Sequence, residues 1–134
     1  MSLQRVGSVS FATVIAGGPG SSVWTIGEHL ERTDADGTVH EGWPTPIARW
    51  ESRLASGPDG SAWLDVEGVA ALDHAAVAGG VRTYALPINP WGSGVDDLDV
   101  APSGTVWTTA TVSTDKHSTR AKTYAMRIDP EGKV

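Results

Sequence analysis

The 134-residue sequence predicts an all-β fold of three repeated four-stranded antiparallel units, the last of them short of its fourth strand. Three observations predict it. The segments Gly18–Trp24, Gly57–Trp63 and Ala101–Trp107 align without gaps, each with proline second and tryptophan last, and the tryptophans stand 39 and 44 residues apart. Downstream of each, a turn signal recurs in the same place: Asp36-Gly37, Gly79-Gly80 and Glu131-Gly132. Glycine (16) and proline (8) separate short alternating stretches rich in valine and threonine, while runs of helix formers are scarce. A period of roughly 40 to 45 residues is the length of one four-stranded β-propeller blade.

Each element of the repeat has a physical reason. Ile15, Leu54 and Leu98 lie nine residues before their tryptophans, with Gly17, Ser56 and Val100 at the next alternate position, which predicts an inner strand. The Pro-x-Gly elements, Pro58 to Gly60 and Pro102 to Gly104, supply a fixed φ and then a residue free to take positive φ, a hairpin turn. The second strand carries the tryptophan, whose burial removes about 150 to 250 Å² from water, roughly 4 to 6 kcal/mol before entropy is charged. Third and outer strands flank the glycine turns. Outer strands are expected to end at Trp43-Pro44 and Leu86-Pro87, since proline suits a strand end where no ladder donor is needed.

The expected blades span residues 9–44, 47–87 and 93–134 of a single propeller segment. Val69 to Gly80 is alanine-rich and could form a helix on propensity alone, but its place in the repeat predicts a strand and turn. Val112 to Lys122 is polar, alternates in charge sign and lengthens the second hairpin of the third blade. After Gly132 only Lys133 and Val134 remain, so the third blade is expected to borrow its outer strand, with residues 1–8 of another copy as one source. Propellers need about four to eight blades to close. The expectation is therefore self-association, two copies giving six blades, or membership of a longer propeller.

A net charge of −6 gives no electrostatic reason to meet phosphate backbones or anionic lipid, so neither nucleic acid nor a membrane is expected as a partner. The absence of cysteine excludes disulfides, thiolate metal sites and cysteine nucleophiles. The first fifteen residues lack the continuous apolar stretch of a signal peptide, and no run reaches transmembrane length, so a soluble chain is expected.

The aliphatic inner strand, the Gly57–Trp63 turn, the Arg32–Gly37 turn and the Leu86-Pro87 strand end together resemble the streptogramin B (virginiamycin B) lyase-like propellers. The outline is also similar to NHL and gluconolactonase-like propellers, so the resemblance implies a fold more than an activity. In the lyases it implies a magnesium ion held by acidic residues near the central channel and a histidine base. Their blades read Trp-Phe-Thr-Glu and Pro-His-Gly-Ile. Here the third residue after each tryptophan is Gly27, Val66 or Ala110, and the pairs before the inner-strand aliphatics are Thr13-Val14, Ser52-Arg53 and Asp96-Asp97. The lyase activity is therefore not carried over, and no catalytic residue is assigned.

Two groups remain as candidate sites. Asp96, Asp97 and Asp99 could offer carboxylates to magnesium or calcium, Asp97 and Asp99 on one strand face; the competing reading is a solvated strand junction with a turn-capping aspartate. No cofactor is expected otherwise. Trp43, Trp50 and Trp91 fall in links between blades, where an indole can stack on a sugar or small molecule or can pack between blades. Short chains that oligomerise into propellers with such aromatics also resemble certain fucose-binding lectins. Asp34 to Gly37 opens like a calcium loop, but its glycine falls at position 4 and Thr45 at position 12, so a hairpin is expected. His29, His40, His74 and His117 show no metal-ligand spacing, and His40 and Glu41, as strand neighbours, face opposite ways. The expected function is a non-catalytic binding or scaffold module, with a metal-dependent lyase or lactone hydrolase completed by a partner chain as the alternative.

Overall fold

Alternating stretches bounded by tight turns become strands in the computed structural model, which describes residues 14–27, 29–43, 53–66, 70–88, 94–113, 117 and 120–134. The first antiparallel sheet runs in order β1 (Val14–Gly17), β2 (Val23–Ile26), β3 (Leu30–Thr33) and β4 (Val39–Trp43). The second repeats it with β5 (Leu54–Ser56), β6 (Ala62–Asp65), β7 (Ala71–Ala75) and β8 (Val81–Ala85). The third has β9 (Gly94–Val100), β10 (Val106–Ser113) and β11 (Ala121–Ile128). No α-helix occurs among the described residues: the alanine-rich segment forms β7 and its turn, where ladder partners on both sides outweigh local propensity.

The same pair of backbone bonds closes the first turn of the second and third sheets. Gly57 N–H donates to Ser61 O (2.9 Å) and Gly60 N–H to Gly57 O (3.0 Å); Ala101 with Thr105 and Gly104 with Ala101 repeat both bonds. Gly60 and Gly104 take φ +85° and +86°, a region that costs an L-residue roughly 1–2 kcal/mol. In the first sheet that position holds Ser21, the one described non-glycine residue with positive φ (60°). The later turns are alike as well: Asp34 N–H donates to Thr38 O, Ala76 N–H to Gly80 O and Asp129 N–H to Lys133 O. The third sheet thus contains the turn into an outer strand, while the outer edge of β11 has no partner among the described residues.

Burial lies between sheets, one core per seam. Trp24, Ile26, Leu30 and Trp43 of the first sheet pack with Ala62, Leu64 and Ala75. Trp63, Leu72 and Leu86 of the second pack with Val95, Leu98, Val106 and Ile128. The inner strands β1, β5 and β9 lie side by side, as blades around an axis require. The register places Ile15, Leu54 and Leu98 each opposite the residue after the tryptophan, so the spacing read from sequence is the spacing of the ladder.

Candidate functional site

Blades meet through a repeated pair of aromatic side chains, one from the second strand and one from the outer strand. In the first sheet Trp24 is fully buried and donates its indole N–H to Gly60 O in the next blade's first turn (2.9 Å). Trp43 donates to Ala76 O in that blade's second turn (2.7 Å), and the two rings meet edge to face at 4.7 Å and 66°. A bulge between Leu30 and Arg32 in the β3–β4 ladder, with Gly42 at φ +109°, sets Trp43 opposite Leu30. Trp43 is thus buried in the seam between blades, where its N–H has a partner. Trp50 and Trp91 lie outside the described residues.

The second seam uses the same positions with different chemistry. Trp63 pairs with His74 as Trp24 pairs with Arg32, and Tyr84 faces Leu72 as Trp43 faces Leu30. The Trp63 and Tyr84 rings lie 5.2 Å apart and are tilted by 38°. Tyr84 abuts the last turn so closely that a Cβ on Gly132 would stand 2.9 Å from its Cε1. Arg82 sits 4.8 Å over the phenol ring. Trp63 is 7% exposed, yet among the described residues its indole N–H has no acceptor. It lines a cleft of about 260 Å³ together with Tyr84 and Pro130 as apolar wall and Asp59, Ser103 and Asp129 as polar rim.

His74 also borders the cleft and lies flat on Trp63, 4.3 Å between centroids at 23°. Burial pushes its imidazole below the usual histidine value; nearby Asp59 opposes that shift and Arg82 adds to it. Burial works to raise the Asp59 carboxyl, but hydrogen bonds from the Ser61 hydroxyl (2.6 Å) and N–H (3.0 Å), with His74 nearby, hold it below the ordinary value. An ionised aspartate and a largely neutral imidazole thus share one opening.

The acidic trio sits on β9. A second bulge, opposite Thr109 and Ala110, leaves Asp96 unpaired in the ladder, so Val95 and Leu98 both turn into the core while Asp96, Asp97 and Asp99 stay exposed. Asp97 and Asp99 share a shallow depression with Trp107, which is 49% exposed. Each carboxylate is engaged close to its own strand, where Asp97 accepts from Leu98 N–H, Asp99 from Val100 N–H, and Asp96 from the Thr111 hydroxyl. Among the described residues no three carboxylate or imidazole groups converge as a metal site. The magnesium site that the lyase resemblance implies does not fit this chain's own residues, because Gly27, Val66 and Ala110 carry no ligand where the glutamates would be.

The cleft residues escaped sequence reasoning although a signal existed. Arg32, His74 and Arg127 each stand five residues before their turn glycine, a count that puts a polar side chain beside every tryptophan.

No protein-family model matches the chain, and no curated protein matches it significantly. Solved structures do. Virginiamycin B lyase from Staphylococcus aureus superposes with a TM-score of 0.53 at 16% identity, over 82% of this chain and 39% of that one. The chain has the fold of the streptogramin lyase-like β-propellers. A calcium-binding protein, regucalcin, from Agrobacterium tumefaciens is similar in the same way, with a TM-score of 0.51 and 16% identity over 78% of this chain and 39% of that one. The chain thus spans well under half the length of either propeller. Among the described residues no helix is long and apolar enough to cross a membrane.

Proposed function

We propose that this chain is a non-catalytic binding and scaffold arc whose ring is completed by a second copy of itself. One observation carries the reading: the halves of a seam are left unmatched at the two ends. The equivalent indoles pass from fully buried at Trp24 to 7% exposed at Trp63 and 49% at Trp107. The turn positions that receive them run from exposed at Ser21 to buried at Gly60 and half-buried at Gly104. Among the described residues, Trp107 is a donor without an acceptor on one side, and the Ser21 turn is an acceptor without an indole donor on the other. Joining them head to tail repeats a contact the chain already makes, and two copies give six blades, within the range that closes.

Light scattering on the 134-residue chain tests it. The expected mass is that of two chains, falling to one in Trp107→Arg; a wild-type chain that stays monomeric at high concentration overturns the reading.

A second reading, a divalent-cation-dependent lyase or lactone hydrolase completed across that interface, is favoured by the placement of Asp97 and Asp99 in the depression that carries Trp107, with Asp96 beside them on β9. It predicts that magnesium or calcium raises the melting temperature of the assembled chain. No shift at millimolar metal rules it out.

A further inference from the structure

From the cleft between the second and third blades we infer a site for a small neutral polyhydroxylated ligand, a single sugar ring or a comparable polyol. This rests on the reading of the chain as a binding module, but not on ring closure, because every wall belongs to one chain.

The strongest observation is the Trp63 indole. It is more than nine-tenths buried, and its counterpart Trp24 directs its N–H at Gly60 of the following turn. The turn position equivalent to Gly60 in the third blade is Gly104, which lines the cleft, yet among the described residues nothing accepts the Trp63 N–H. The Trp63 Nε1 stays open to solvent at the cleft, where a ligand oxygen can accept from it as Gly60 O accepts from Trp24.

The rim supplies acceptors. Asp59 gives one carboxylate oxygen to Ser61 and Asp129 gives one to Lys133 N–H, which leaves the second oxygen of each for a ligand. A group that must accept from an indole and donate to carboxylates within one opening is a hydroxyl, which does both. No lysine or arginine lines the cleft among the described residues, which disfavours phosphates and carboxylates. The Tyr84, Pro58, Pro130 and Val100 surfaces suit the C–H face of a sugar ring. At about 260 Å³ the space is below the usual range of drug-sized sites, roughly 300–1,000 Å³, and matches one ring better than a chain of them.

Indole N–H resonances in an amide-correlation NMR spectrum read this directly. The chain is titrated with D-glucose, D-mannose, L-fucose and myo-inositol, and in parallel with inorganic phosphate and ammonium. One indole resonance, assigned to Trp63 by its loss in Trp63→Phe, is expected to shift saturably with at least one polyol and not with phosphate or ammonium. Asp129→Asn, in a turn at the surface that tolerates the change, is expected to weaken that binding about tenfold while leaving the rest of the spectrum in place. The inference is overturned by no saturable shift with any polyol, by a shift that another indole carries, by equal affinity in Asp129→Asn, or by a response to phosphate or ammonium instead. A monomeric chain that still binds a polyol overturns ring closure and leaves the cleft standing; a closed ring that binds none does the reverse.

Discussion

Between the first and second sheets two indole N–H groups end on two turn carbonyls, whereas between the second and third the same positions hold an indole and a phenol beside a cleft. The exchange of Trp43 for Tyr84 accounts for much of this. An indole carries its donor on the ring's flank and can lie against a turn while donating into it. A phenol carries its hydroxyl at the tip, and the Tyr84 ring abuts the last turn, where a Cβ on Gly132 would stand 3.2 Å from that hydroxyl. The residue beside each tryptophan differs too. Arg32 reaches out to Asp34 at 2.9 Å, while His74 lies flat against Trp63. One seam is built for adhesion and the other keeps an opening, with no change of backbone plan.

The largest expected test of that contrast is tryptophan truncation. Trp24→Ala should cost about 3–5 kcal/mol in denaturant unfolding, and Trp63→Ala less, because part of its surroundings is already open. Equal losses would break the distinction between the seams. Next come the turn glycines. Gly60→Ala and Gly104→Ala both force a positive φ on an L-residue, about 1–2 kcal/mol each. Gly60→Ala should melt lower, since its Cβ would also meet Val77 Cγ2 at 3.2 Å, whereas the nearest atom at Gly104 is Pro130 Cγ at 3.8 Å. Trp43→Phe removes the indole's hydrogen bond to the Ala76 carbonyl, which keeps the Gly79 N–H, and should cost about 1 kcal/mol, while Tyr84→Phe should change stability by less than about 0.5 kcal/mol.

The smallest effect is in pH. The His74 imidazole titrates below its ordinary value in the folded chain, chiefly through burial. As pH falls through that ordinary value the unfolded chain takes up a proton first, so stability declines from there down to the folded value. Melting temperatures followed from about pH 8 to about pH 5 should therefore drop, and His74→Gln should flatten the slope. Asp59 acts in a lower window: its depressed carboxyl contributes stability above its ordinary value, lost as pH falls through the folded one.

The blades were legible because their signals are local. Pro58 to Gly60 fixes a turn by its own φ preferences, and the nine-residue step from Leu54 to Trp63 is a hairpin length. The cleft was not, because identical tryptophans have different fates. Nothing in Gly57–Trp63 distinguishes Trp63 from Trp24; the difference lies in what the following blade presents and in whether position 43 or 84 carries an indole. The bulge at Gly42 hid the equivalence further. Matching the prolines pairs Trp43 with Leu86, whereas its counterpart in the ladder is Tyr84, two residues earlier. The bulge in β9 likewise leaves Asp96 exposed beside Asp97 and Asp99, which strict alternation would deny.

The exposed Trp107 makes the arc directional. Subunits that join a donor end to an acceptor end form a heterologous contact, which closes when the turn per copy suits a ring and otherwise grows as a filament. Growth then depends on both ends of every copy. A Trp107→Arg chain keeps an intact Ser21 turn and so can still receive a neighbour's indole while offering none. On the proposed head-to-tail closure, such a chain mixed with wild type is expected to act as a terminator, lowering the mean mass read by light scattering.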